Sequence, residues 1–128
     1  MIRRFTNLIL IALSITFLTS CNDTPEKVME DKLEVIDESI QALSDLAEGK
    51  LSVEEGRTKF AKLKEEGKKI KEREDKLCST LSAEEKRALM TKYAPQFAER
   101  VRKMQTLSTN LYRSGKMDSA LIRSLKYD

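Results

Sequence analysis

The chain has 128 residues, of which 35% are charged and 5% are aromatic, with four glycines, two prolines and no tryptophan. This length corresponds to one domain, and the composition favours long helices over a sheet. Histidine is absent, which removes the most common general base and metal ligand, and neither a phosphate-cradling glycine loop nor a G-x-S-x-G element is present.

The first twenty residues have the three parts of a secretory signal. Arg3 and Arg4 are followed by an apolar run from Phe5 to Leu18, and no acidic residue occurs before Asp23. The apolar run is shorter than the roughly 20 residues that span a bilayer comfortably as a helix. We therefore expect a leader sequence, with an uncleaved membrane anchor as the alternative.

The leader ends in Leu18-Thr19-Ser20-Cys21, which resembles the lipobox of bacterial lipoproteins. The resemblance implies that Cys21 accepts a diacylglycerol on its thiol and that a peptidase removes residues 1–20. Residues 21–23 then form a short lipidated tether. The predicted location is a membrane of the bacterial cell envelope, either inner or outer.

Removal of residues 1–20 leaves 22 basic and 21 acidic residues, a net charge of +1. This balance gives no reason to expect a nucleic-acid partner. With Cys21 lipidated, Cys78 is alone and no internal disulfide forms. We interpret Cys78 as a small buried apolar residue, and a mixed-disulfide or dimer link is the alternative.

A first helix is predicted to begin with Thr24 as N-cap and Pro25 at the first helical position, and to stop at Gly49. Its apolar residues are spaced alternately by four and three, which is typical of a helical heptad seam. The residues of this seam are Met29, Leu33, Ile36, Ile40, Leu43 and Ala47, and the stripe is widened by Val28, Val35 and Leu46.

A second helix is predicted to begin at Ser52, which forms a capping box with Glu55, and to fray near Lys76–Ser79. Its apolar residues are Val53, Phe60, Leu63, Ile70 and Leu77. Gly56, Gly67 and Glu74 occupy the intervening seam positions. We expect close approach of a neighbouring helix to compensate the glycines. Glu74 either marks where the helices splay or is a partner for Arg100 or Arg102.

A third helix is predicted from Ser82, which repeats the capping box with Glu85, to Ser114-Gly115. Pro95 predicts a kink or a break at Tyr93–Pro95. The apolar stripe of this helix is Met90, Tyr93, Phe97, Val101, Met104 and Leu111. Asp118 or Ser119 is predicted to cap a short fourth helix, a lid on the bundle end, carrying Leu121, Ile122 and Leu125.

The predicted fold is therefore all-α: residues 24–128 form a bundle of three long helices plus a short C-terminal helix. An extended helical hairpin and a dimeric coiled coil are the alternatives, because the glycines and Glu74 weaken the second seam.

Charge is segregated along the chain: residues 22–55 carry a net charge of −8, residues 56–78 of +4 and residues 79–128 of +5. We expect the acidic first helix to lie between or against the two basic ones, which sets their pairing. The alternative is that the basic helices face anionic lipid head groups.

Carboxylates at Glu30, Glu34 and Glu38 share one face of the first helix. A solvated helical face explains them better than acid/base chemistry or metal binding, since no cleft is predicted beside them. We expect no enzyme activity, no catalytic residues, no cofactor and no metal; an enzyme acting on cell-wall material through paired carboxylates is the weakest alternative.

The predicted function is a non-catalytic, membrane-anchored interaction or structural module that binds an envelope protein or self-associates. The repeated starts Leu51-Ser52-x-x-Glu55 and Leu81-Ser82-x-x-Glu85 are also similar to the L-T-x-x-Q starts of helical periplasmic chaperones of the Spy/CpxP type. Serine replaces threonine, glutamate replaces glutamine, and those proteins usually lack a lipid anchor. The resemblance implies a chaperone or stress-sensor role as the alternative function.

Overall fold

A computed structural model describes residues 23–119, 121 and 123 of the chain. Three α-helices follow one another: α1 (Pro25–Ala47), α2 (Val53–Cys78) and α3 (Ala83–Arg113). No strand occurs among the described residues, so the predicted all-α class with three long helices is confirmed. Within this described part, none of the helices combines the length and the apolar character that crossing a membrane requires.

Each helix begins at its predicted N-cap. The Thr24 hydroxyl accepts a hydrogen bond from the backbone N–H of Lys27 at 3.2 Å. Ser52 and Ser82 each form a complete capping box, in which the serine hydroxyl accepts from the glutamate N–H and the glutamate carboxylate accepts from the serine N–H. These bonds satisfy amide groups that a helix start leaves without partners.

The helix ends also match the prediction. Beyond α1, Gly49 has a φ of +74°, and beyond α3, Gly115 has a φ of +71°. This left-handed conformation is strained for side chains with a Cβ, so glycine is the residue that stops a helix in this way.

Of the predicted kink or break at Pro95, the break is wrong, because α3 continues through this residue as one helix. Proline removes one backbone donor and leaves the carbonyl of Thr91 without its helical partner. Thr91 and Pro95 are both exposed, so water can satisfy that carbonyl.

Helix α1 is the centre of the fold. It packs along both α2 and α3, whereas α2 and α3 make far fewer contacts with each other. Arg100 of α3 binds Asp37 of α1, and Lys116 after α3 binds the carbonyl of Ala47 at the end of α1. These contacts show that α1 and α3 run parallel to each other. Helix α2, which lies between them in the sequence, runs antiparallel to both.

The predicted heptad seam of α1 is only half of what the fold uses. Met29, Leu33 and Leu43 are buried, Ile36 and Ile40 are half-buried, and Ala47 is exposed, contrary to the prediction. A second seam beside the first is also buried, and its buried members are Val28, Val35, Ser39, Ala42 and Leu46. A helix with neighbours on two sides needs two seams.

The core forms two clusters. The larger joins α1 and α2 to the end of α3 through Val28, Val35, Ala42, Leu43, Leu46, Phe60, Leu63, Ile70, Leu111, Met117 and Leu121. The smaller joins α1 to the first half of α3 through Met29, Leu33 and Tyr93.

Gly56 confirms the expected close approach. A Cβ at this position would lie 3.1 Å from Cδ1 and Cδ2 of Leu46, so the absence of a side chain lets α2 approach α1 near the Leu46 side chain.

The predicted fourth helix lies largely outside the described residues, which exclude Ile122 and Leu125. Within the described part, Leu121 is fully buried and its backbone N–H donates to Oδ1 of Asp118 at 2.8 Å.

Candidate interaction surface

The predicted lipid site, Cys21, lies outside the described residues. Asp23, the last residue of the predicted tether, is described and contacts α2. The carboxylate of Asp23 accepts hydrogen bonds from Nε and Nη2 of Arg73 on α2, at 2.8 and 2.6 Å. Arg73 also binds Asp31 through Nη1 at 2.9 Å. The hydrogen bond to Asp23 is the main cause that raises the pKa of Arg73, and it lowers the pKa of Asp23.

The structure brings the predicted carboxylates Glu30, Glu34 and Glu38 together on one exposed face of α1. They border an open groove of about 470 Å³ whose other side is Arg100. Arg100 is engaged there by Asp37, with Nε to Oδ1 at 2.7 Å and Nη2 to Oδ2 at 3.1 Å. Among the described residues, no group of three or more histidine, cysteine or carboxylate side chains is arranged to hold a metal ion.

Ion pairs connect acidic α1 to both basic helices, as the charge pattern predicted. Asp31 binds Arg73 of α2 and Asp37 binds Arg100 of α3. The central position of α1 therefore confirms that the acidic helix lies between the two basic ones.

Of the two interpretations of Glu74, the pairing with Arg100 or Arg102 is wrong. Glu74 accepts a hydrogen bond from Nζ of Lys32 on α1 at 2.8 Å, instead of binding Arg100 or Arg102. The same Lys32 nitrogen lies 5.5 Å from the ring centroid of Phe97 on α3. Lys32 thus contacts both neighbours of α1, with a cation–π contact on one side and an ion pair on the other.

Cys78 is a half-buried free thiol at the end of α2. It borders a small crevice with apolar side chains that include Val28, Met29, Leu77 and Leu89. These surroundings agree with the interpretation of a small apolar packing residue, although its burial is incomplete.

Helix α3 exposes apolar side chains that were predicted from the sequence to lie in the core. Its buried residues are Tyr93 and Leu111, while Phe97 and Met104 are half-buried. Met90 is 63% exposed, Val101 46% and Tyr112 66%, and these are the exposed large apolar side chains of the described residues. The prediction that Met90 and Val101 face the core is therefore wrong. The physical reason is that α3 packs mainly against α1, and one neighbour covers only part of a wide stripe.

The exposed residues belong to a regular series on one side of α3, with steps of four, three, four, four, three and four residues. We call this series the α3 stripe; it consists of Met90, Ala94, Phe97, Val101, Gln105, Ser108 and Tyr112. All seven are uncharged, in a chain of which 35% is charged. Such a surface is depleted of charge in the way that the core of a protein interface is.

Comparison of the chain with protein-family models, with curated proteins and with solved structures finds no match. The described residues form three helices with an up-down-up course, and α3 leaves Met90, Val101 and Tyr112 exposed.

Proposed function

We propose that this protein is a lipoprotein anchored through Cys21 to a membrane of the bacterial envelope, and that its helical domain is a non-catalytic protein-interaction module. The observation that carries the second part is the α3 stripe, which leaves Met90, Val101 and Tyr112 exposed. These three large apolar side chains lie on one side of one helix among seven uncharged positions, and a lack of charge is typical of the core of a protein interface.

The carboxylates of α1 and α2 support a structural role for the charged side chains, and not a catalytic one. Asp31, Asp37 and Glu74 each bind a cation on a neighbouring helix. Glu30, Glu34 and Glu38 are exposed on a solvated face. Carboxylates in these settings hold helices in register or keep a surface soluble, which agrees with a module that binds and does not catalyse.

The proposed anchor also fixes which end of the bundle lies near the bilayer. Three extended residues reach only about 10 Å, and Asp23 at the end of this tether is bound to Arg73. The N-terminal end of α1 and the C-terminal end of α2 would then lie close to the lipid head groups.

Two measurements test the two parts of this proposal separately. Mass spectrometry of the purified native protein is expected to find an acylated Cys21 as the first residue, in the envelope fraction. A chain that begins at Met1, or a protein without acyl chains in the cytosol, would refute the anchor.

For the interaction part, a photo-reactive side chain at position 101 is expected to capture a protein in living cells. The same group at the exposed Asn110, which lies off the α3 stripe, serves as the control. Equal labelling at both positions, or none at either, would refute the interaction surface.

A second candidate function is a periplasmic chaperone or stress-sensor role. The α3 stripe favours it, because exposed apolar side chains bind unfolded clients, and the similarity of the two helix starts to Spy/CpxP-type proteins points in the same direction. Suppression of the aggregation of an unfolded client, lost on Val101→Lys, is the expected result. No suppression at an excess of protein would dispose of this role.

We also propose that residues after Asp118 form the short lid helix. Asp118 accepts from the N–H of Leu121 in the manner of an N-cap, and its carboxylate binds Arg57 of α2. Backbone chemical shifts of residues 119–127 are expected to be helical, and random-coil values would refute the lid.

A further inference from the structure

We propose that the partner of the α3 stripe is an acidic amphipathic helix of a partner protein, held by the apolar side chains of the stripe and by the cations beside it. This inference gives the chemistry of the partner and rests on the proposed role of the stripe as an interaction surface. It does not require the lipid anchor.

The charged residues of α3 that lie beside the stripe are all basic. On a helix, side chains three or four positions apart are neighbours. The charged residues of α3 at these distances from the stripe positions are Lys86, Arg87, Arg100 and Arg102. The acidic residues of α3 all lie at other positions. The stripe itself is uncharged, but its surroundings on α3 therefore carry one sign of charge.

Three of these four cations have no ion-pair partner within the described part of the protein. Arg100 is bound to Asp37 of α1. By contrast, Lys86, Arg87 and Arg102 are exposed, and none of them pairs with a carboxylate of the described residues. An arginine can form two parallel hydrogen bonds with a carboxylate, so this edge of the stripe is suited to aspartate or glutamate side chains of a partner.

Glu74 of α2 and the exposed acids of α1 do not neutralise these cations. Lys32 binds Glu74 and lies 5.5 Å from the ring centroid of Phe97, so the carboxylate on the Phe97 side of α3 is already paired. Glu34 and Glu38 border two grooves that contain no residue of the stripe. The positive charge beside the stripe therefore remains available to a partner.

The uncharged residues of the stripe suit a helix better than a lipid bilayer. Met90, Val101 and Tyr112 follow one another at intervals of about three helical turns, which is the kind of spacing that a second helix contacts with its own apolar face. Ala94 and Ser108 are small, so they allow two helix backbones to approach closely. Insertion into a bilayer depends on buried apolar area, and the small and polar residues of the stripe offer little of it.

The two features together define the partner. A helix with apolar residues on one side and acidic residues along the edges places its carboxylates against Arg87 and Arg102, which are about 22 Å apart along α3. A helix with basic edges meets like charges there, which disfavours binding. Since these ion pairs are exposed to solvent, added salt should weaken them.

Two synthetic peptides of about 22 residues, the length of helix that spans the about 33 Å of the stripe, test the sign of the charge. Both carry leucines on one helical face. One has glutamates along the edges of that face, and the other has lysines at the same positions. The full-length protein should bind the glutamate peptide about tenfold or more tighter at low salt, measured by fluorescence anisotropy, and the difference should shrink at high salt.

Charge reversal on the protein tests whether the named cations cause this preference. Arg87→Glu combined with Arg102→Glu should reverse it, so that the lysine peptide binds more tightly. Lys92→Glu is the control, because Lys92 is exposed on the same helix but is not a neighbour of the stripe; this variant should still prefer the glutamate peptide. Val101→Asn should weaken the glutamate complex without altering its salt dependence. Circular dichroism confirms that the variants keep the helical content of the unmodified protein.

Equal affinity for the two peptides, binding of neither, or a preference that the double charge reversal leaves unchanged would overturn the proposal. The photo-reactive group at position 101 provides the test in cells, where mass spectrometry is expected to identify an acidic amphipathic segment as the linked site. Linkage to lipid would overturn the proposal in favour of a membrane. A linked protein segment without acidic residues would also overturn it, while leaving the interaction module intact, whereas no capture at all would refute the interaction surface itself.

Discussion

Lys32 is the clearest place to test how the three helices are held in register. Its side chain lies in the second seam of α1, is 40% exposed and binds Glu74, which is 21% exposed, at 2.8 Å. Its ammonium group also lies 5.5 Å from the ring centroid of Phe97. We predict that replacing both charges by apolar side chains stabilises the protein relative to either single replacement.

The magnitude follows from the partial burial of the pair. Solvent screening limits the ion pair to about 1 kcal/mol or less, and the cation–π contact adds about 0.5–1 kcal/mol. Lys32→Met should therefore lower the free energy of unfolding by about 1 kcal/mol, because Glu74 keeps a charge without its partner. Glu74→Leu should lower it by less, since Lys32 retains Phe97.

The double variant leaves no unpaired charge and adds apolar contact between α1 and α2. We expect it to be at least as stable as the unmodified protein, because replacing a partly buried ion pair by apolar groups is often neutral or stabilising. Urea unfolding followed by far-UV circular dichroism measures all four proteins. A coupling energy of about 1 kcal/mol or more is expected; effects of the single changes that simply add would refute the reasoning.

Three further predictions concern residues whose partners the structure defines. Ser39→Ala should raise the free energy of unfolding by about 0.5 kcal/mol, because the fully buried hydroxyl binds only a carbonyl of its own helix and alanine is the better helix former; Ser39→Leu should lower it by about 1–3 kcal/mol through overpacking. Ser52→Ala and Ser82→Ala should each lower it by about 1 kcal/mol through loss of a capping box, in the same urea assay. Acid should loosen the Asp23–Arg73 contact: the pKa of Asp23 is lowered from 3.8, so its contribution is present above that value and is lost as the pH falls through the lower folded-state pKa. Asp23→Asn should remove this part of the acid dependence.

Each of these has its own contrary result. Destabilisation by Ser39→Ala would mean that the hydroxyl supports the packing between helices, and not only its own helix. Unchanged stability of the capping variants would show that the helix starts are held by tertiary contacts. An acid unfolding curve that Asp23→Asn leaves unaltered would assign the effect to other carboxylates.

The bounds of the helices could be predicted from the sequence because local chemistry decides them. Ser52 with Glu55, Ser82 with Glu85, and Gly49 each act within a few residues of chain. The same holds for the central place of α1, since the net charges of the segments already favour an acidic helix between two basic ones.

The partners of individual side chains could not be predicted, because they depend on which faces meet. The second seam of α1 has the same spacing as the first, but Lys32 and Ser39 interrupt its apolar pattern. The exposure of Met90 and Val101 follows from α3 packing chiefly against α1, which no local signal in α3 reveals. The sequence did contain one sign of this exposure: the apolar stripe of α3 is wider than a single neighbouring helix can cover.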